Sequence, residues 1–299
     1  MRHRVIFVGI LLCLLFVFCN KTQQDDSPPL EDLYLAQKPP GMTPEIFAPG
    51  IVSSPDFLEY SLTFSSDGKE IYFNRSGFGV FVCRWRDNVW SAPEKPEFAK
   101  SYQVGEAHIT PDGKRMLVNR YRGLNEGEQG GIWEFHRKEE GWGNPKFLIP
   151  FGMRATSTVD GTIYTTDISG YKKENRDGGI IACFTVTRKG YQRDIDPAGG
   201  VNTESLDSHP FIDPKERYII FNSDRPGGLG KSDLYVCFKN SDGSWGEAIH
   251  MKALNSTEGD WCATVSPDGK YLFYTCNLDQ NIYWVDARII EDLKPKELK

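Results

Sequence analysis

Residues 263–275 read ATVSPDGKYLFYT and are followed at 280–287 by QNIYWVDA. Two β-patterned runs flank Asp268-Gly269, which marks a tight hairpin because glycine accepts a positive φ and aspartate bonds its own backbone. The same succession recurs four times upstream. LTFSSDGKEIYFN (62–74) precedes GVFVCRW (79–85), and AHITPDGKRMLVN (107–119) precedes GIWEFHR (131–137). ATSTVDGTIYTT (155–166) precedes GIIACFTV (179–186), and PFIDPKERYIIFN (210–222) precedes SDLYVCFK (232–239). Period-2 apolar pairs stand before each turn: Leu62/Phe64, Ala107/Ile109, Ala155/Ser157, Pro210/Ile212 and Ala263/Val265. They should face one neighbouring unit.

A second hairpin with an aromatic residue closes the first four units, in DNVWSAP (87–93), EEGWGNP (139–145) and DGSWGEA (242–248), with Tyr191 in the third. Each unit therefore has four strands, and the turns lie roughly 45 to 55 residues apart, the span of a propeller blade. The fifth repeat stops after its third strand. EIFAPGIVSS (45–54) precedes repeat one just as PEKPEFAKS (93–101) precedes repeat two. Residues 45–52 are therefore expected to supply the missing outer strand, closing an all-β, five-bladed β-propeller of antiparallel blades over 45–290. A six-bladed ring is the alternative, and it lacks a sixth repeat. Closure removes open sheet edges, so a monomer is expected.

These units resemble the WD-repeat-like Pro-Asp β-propeller family, to which TolB of the bacterial envelope belongs. SPDGKYLFY (266–274) and FNSDRPGGLGKSDLYV (221–236) carry the resemblance most sharply. Val159-Asp160-Gly161 and Asp213-Pro214-Lys215-Glu216 depart from it. The resemblance implies a periplasmic or surface-exposed propeller. It does not imply TolB's role, since residues 20–44 leave no room for a separate αβ domain.

The chain has 299 residues, with 39% hydrophobic, 25% charged and 13% aromatic residues and a net charge of -6. That charge, with no concentrated basic patch, excludes nucleic acid as a partner. Arg2, His3 and Arg4 precede an apolar run from Val5 to Phe18, a secretory pattern too short for an ordinary membrane span. Cys19 at its border resembles the lipid-acceptor cysteine of bacterial lipoproteins. An uncleaved anchor is the alternative, because Phe16-Val17-Phe18 puts no small residue before that cysteine. The expected organisation is a leader over 1–19, a tether over 20–44, the propeller, and a tail over 291–299. Export to the periplasm or cell surface, with a membrane anchor, follows from the leader.

Cys83, Cys183 and Cys237 fall at matching points of the repeat and are expected to be buried thiols, while Cys262 and Cys276 flank one hairpin where a disulfide is the lesser alternative. No zinc spacing, nucleophile elbow, phosphate loop or metalloprotease motif is present, so no cofactor and no metal are expected. Candidate ligand-binding residues gather at one mouth, where the innermost strands begin: Glu59, Glu106, Arg154, Asp207, His209 and Asp260, with Arg225 in the NSDRPGG loop (222–228). For Arg225 the preferred role is loop bracing, paired with Asp224 or Asp233. His108 and His209 are expected as hydrogen-bonded rim histidines, with metal binding beside nearby acids as the lesser alternative, and insertions at 121–131 and 167–179 should overhang this mouth. The expected function is a non-catalytic binding or scaffolding module contacting an envelope protein or a cell-wall glycan. The alternative is a carbohydrate-active hydrolase or lyase using mouth carboxylates, which would need two carboxyls about 5 to 9 Å apart.

Overall fold

Each Asp-Gly hairpin joins the first two strands of a four-stranded antiparallel blade, and five such blades form the ring. The computed structural model describes residues 33–120, 130–170 and 179–298. The leader with Cys19 and most of the two mouth insertions lie outside the described residues.

A short strand β1 (Glu45–Ile46) comes first. Blade one follows as β2 (Glu59–Phe64), β3 (Glu70–Arg75), β4 (Gly79–Arg86) and β5 (Val89–Trp90). After helix α1 (Glu97–Ser101), blade two is β6 (Gly105–Ile109), β7 (Arg115–Arg120), β8 (Gly131–His136) and β9 (Lys146–Pro150). Blade three is β10 (Gly152–Ser157), β11 (Ile163–Asp167), β12 (Ile180–Thr187) and β13 (Gly190–Arg193). Blade four is β14 (Asp207–Ile212), β15 (Tyr218–Ser223), β16 (Asp233–Phe238) and β17 (Ile249–His250). Blade five has β18 (Asp260–Val265), β19 (Tyr271–Cys276) and β20 (Asn281–Asp286), and β1 completes it by pairing Glu45 with Trp284 and Ile46 with Tyr283. The six-bladed alternative is thereby excluded.

Four of the five blades share one turn chemistry. Asp67, Asp112, Asp160 and Asp268 each accept a bond from the hydroxyl two residues earlier and from the backbone N–H two residues later. Blade four, which lacks the Asp-Gly pair, uses Asp213 to accept the N–H groups of Lys215 and Arg217. There Glu216 itself takes the left-handed conformation at φ 54°. Its carboxylate accepts bonds from Tyr164 and Lys239, which offset that backbone cost.

The core is divided among the interfaces between successive blades. Leu62 and Phe64 pack on Phe273, Ile282 and Trp284 of blade five, and Ala107 and Ile109 pack on Tyr72, Val80 and Val82 of blade one. The apolar pairs do face the preceding blade. A segment before residue 45 and a helix that straddles residue 290 also pack on the ring. Tyr34 and Leu35 join the closing cluster, with Tyr34 Oη donating to Asp268 Oδ1 at 3.0 Å. Helix α2 (Arg288–Leu293) seats Ile289 and Ile290 against blades four and five.

Cys83, Cys183 and Cys237 are buried free thiols. Cys262 and Cys276 are free as well, so no bridge closes that hairpin. The reason is local: Cys276 pairs in register with Asp260, whereas Cys262 sits on a bulge two residues further on.

Candidate functional site

All five innermost strands share one irregularity. The register slips between Tyr60 and Thr63, Gly105 and His108, Met153 and Ala155, Ser208 and Phe211, and Trp261 and Thr264. At each slip one non-glycine residue has a positive φ: Ser61 (55°), Glu106 (51°), Arg154 (49°), His209 (49°) and Cys262 (52°). A bulge of this kind costs about 1 kcal/mol or more per residue and re-aims a side chain. Here it turns one side chain per blade inward.

The contacts among these five residues show that they meet on the axis, because they join blades that are not neighbours. Arg154 of blade three donates from its guanidinium to Ser61 Oγ of blade one and, at 3.2 Å, to the Ala263 carbonyl of blade five. Glu106 of blade two lies 3.5 Å from His209 Nε2 of blade four. Glu106 Oε2 also accepts the Arg154 backbone N–H at 2.8 Å. The bulges themselves are held by the preceding blades: Asn74 Oδ1 accepts the Glu106 N–H, and Thr166 Oγ1 accepts the His209 N–H.

Three of the other predicted residues lie two places before the bulges and do different work. Glu59 Oε2 accepts the Ser54 N–H, Asp207 Oδ2 accepts the Thr203 N–H at 2.6 Å, and Asp260 Oδ2 accepts the Ser256 N–H at 2.6 Å. Each buried carboxylate closes the loop leading into its own strand. In blade three that place is Gly152, where a Cβ would stand 2.5 Å from Ile132 Cγ1. Burial pushes the Glu59 carboxyl up to about 7, against the opposing pull of the Ser54 N–H and Arg75. Burial raises Asp260 too. Arg225 braces its loop, as preferred, but its partner differs. It binds Asp207 Oδ1 and the carbonyls of Gly200 and Val201, while Asp224 accepts the Leu206 N–H and Asp233 accepts the Leu229 and Gly230 N–H groups.

So the structure gathers Glu106, Arg154 and His209, and sets Glu59, Asp207, Asp260 and Arg225 to fastening loops. Ser61 and Cys262 were missed as site residues, although aligning the five repeats puts them in the same column as the other three. His108 is not at the rim. It is buried between blades two and three, its Nε2 accepting the Ser157 N–H at 3.1 Å.

Above the bulges, Tyr60 and Trp261 stack at 5.1 Å between ring centroids, and the His209 ring meets Trp261 edge-on at 5.0 Å. Trp261 Nε1 donates to Asn277 Oδ1. Asn277 also lines a groove of about 670 Å³ with Phe57, Phe78, Asp56 and Gln280. The opposite end of the channel holds a second cavity of about 490 Å³, lined by the hairpin turns, His108, Phe211 and α2.

No family model matches the chain, and no curated protein matches it. Solved propellers share its fold. A thermostable family-43 glycoside hydrolase aligns with a TM-score of 0.50 at 13% identity, over 83% of this chain and 90% of that one. The putative TolB from Agrobacterium tumefaciens gives 0.48 at 20% identity, over 73% and 69% of the two chains. A gluconolactonase from Xanthomonas campestris gives 0.48 at 11% identity, over 76% and 85%. At such identities the likeness is one of fold alone.

Proposed function

We infer that this chain is an exported, membrane-tethered propeller that binds a partner of the cell envelope without catalysis, and that the partner is a cell-wall glycan. The observation that carries the non-catalytic assignment is the engagement of Glu59, Asp207 and Asp260, each closed on the loop that leads into its own strand. A carboxylate fixed in this way is poorly placed to attack or protonate a substrate, since moving it would release a buried backbone N–H. The choice of glycan over protein is supported by the stacked Tyr60–Trp261 pair beside a groove of aromatic and amide side chains. Flat apolar faces with a few placed polar groups suit a sugar ring. The apolar leader and Cys19 support export and a lipid tether, and the repeat motifs that resemble the Pro-Asp propellers accord with an envelope location.

Co-sedimentation of the purified chain with peptidoglycan sacculi tests this assignment. The chain is expected to pellet with sacculi, and Trp261→Ala to weaken that binding by about tenfold, the loss typical of a truncated aromatic anchor. Absence of binding, or a Trp261→Ala variant that pellets like the parent, would rule out the glycan.

A further inference from the structure

We propose that Glu106, His209 and Cys262 form a binding site for a single divalent transition-metal ion of the zinc class on the propeller axis. The three side chains come from blades two, four and five, and one ligand atom from each lies within 4.8 Å of the other two. In a tetrahedral zinc site the ligand atoms stand about 3.5 Å apart, from bond lengths of about 2.0 to 2.3 Å. The Glu106–His209 separation of 3.5 Å already meets that spacing. With every separation within 4.8 Å, closing the rest takes a movement of at most about 1 Å at the sulfur. Thiolate, imidazole and carboxylate together select a borderline-soft ion, and three protein ligands leave a fourth position for solvent or a ligand.

The surroundings are built as the outer shell of a metal site is. Asn222 Nδ2 donates to Ser208 Oγ at 3.0 Å and to Ser232 Oγ at 2.9 Å, which turns its Oδ1 toward His209. That oxygen lies 2.9 Å from His209 Nδ1, so Nδ1 carries the hydrogen and Nε2 points toward Glu106. A metal-binding histidine is commonly oriented this way by an acceptor on its far nitrogen. Glu106 Oε2 is held by the Arg154 N–H, which leaves Oε1 toward the imidazole. Two acceptor atoms, Nε2 and Oε1, thus confront each other in a buried place and call for a proton or a cation between them. Arg154, whose backbone N–H holds Glu106, has a buried Nε with no hydrogen-bond partner among the described residues. Charges also balance: thiolate and carboxylate together oppose the dication, and the guanidinium of Arg154 offsets an anionic fourth ligand. A thiol binds such an ion as its thiolate, so binding at Cys262 releases its proton to solvent.

The experiment is cobalt titration of the full-length chain after dialysis against a chelator. One equivalent of Co²⁺ should produce a near-ultraviolet thiolate-to-cobalt absorption, and Zn²⁺ should displace it. Cys262→Ser should abolish that band, whereas Cys276→Ser, at a buried thiol off the axis, should keep it. His209→Ala should weaken uptake by about tenfold or more, and Asn222→Ala by about tenfold through the imidazole it orients. Circular dichroism confirms that each variant is folded. A folded parent chain that shows no thiolate–cobalt band would overturn the proposal without recourse to any variant. So would a band that persists in Cys262→Ser.

Discussion

At the position of His108, blades one and three carry threonine. Thr63 Oγ1 accepts the Ile109 N–H of the next blade, and Thr156 Oγ1 accepts the Ile212 N–H. His108 Nε2 does the same for Ser157, so the imidazole must be neutral in the fold. Burial, with Arg154 and Arg115 nearby, lowers its pKa to about 3. Its unfolded value is about 6.5, so between these two the unfolded chain binds the extra proton and stability rises with pH. The contribution is complete above about 6.5 and is lost as pH falls, by about 2 kcal/mol at pH 5. Glu59 acts in the opposite sense: its carboxyl is raised from 4.5 to about 7, so its effect on stability declines as pH rises through that interval. A difference between variants separates the two. His108→Thr should cost about 1 to 3 kcal/mol at pH 7 through lost volume. Its stability gap between pH 7 and pH 5, from urea unfolding, should be about 2 kcal/mol smaller than the parent's. An unchanged gap would show that His108 does not carry the acid limb.

Among the elements, β1 has the largest consequence for its size. It pairs through only Glu45 and Ile46, yet Phe47 behind it is fully buried against Phe273 and Trp284. Gln37 clamps it, donating to the Ile46 carbonyl at 2.9 Å and accepting the Ala48 N–H at 2.6 Å. Phe47→Ala should cost about 3 to 5 kcal/mol, read as a lowered thermal midpoint. Removing residues 1–50 should expose the edge of β20 and give oligomers or aggregates on size exclusion, whereas a monomeric truncation would refute the closing role. This strand was legible in the sequence, because EIFAPGIVSS repeats the approach to blade two and blade five lacks its fourth strand. The bulges were not. A bulge adds a residue without disturbing the local alternation of residue types, so nothing near Ser61 or Cys262 marks either as inward-facing. Aligning the repeats puts Ser61, Glu106, Arg154, His209 and Cys262 in one column, but only the bulges of the closed ring aim that column at the axis.

In the whole molecule the axis is crossed by side chains of non-adjacent blades, and the candidate residues divide by height along it. The sequence shows which residues stand at the start of each inner strand, since the repeat fixes them. It does not distinguish Asp207, two places before a bulge, from His209 on it, because that depends on which backbone N–H groups each loop leaves unpaired. In the linear reading the mouth carboxylates are candidate ligand-binding groups with catalysis as the alternative, whereas in three dimensions Glu59, Asp207 and Asp260 each fasten a loop. Release of reducing ends from peptidoglycan and other envelope glycans tests this most directly, with the parent chain, Glu106→Gln, Asp207→Asn and Asp260→Asn measured beside their thermal midpoints. The expected result is no release by any of the four, with Asp207→Asn and Asp260→Asn melting lower because a buried loop contact is weakened. Hydrolysis by the parent that disappears in Glu106→Gln, at an unchanged midpoint, would contradict the binding function and make Glu106 a catalytic residue.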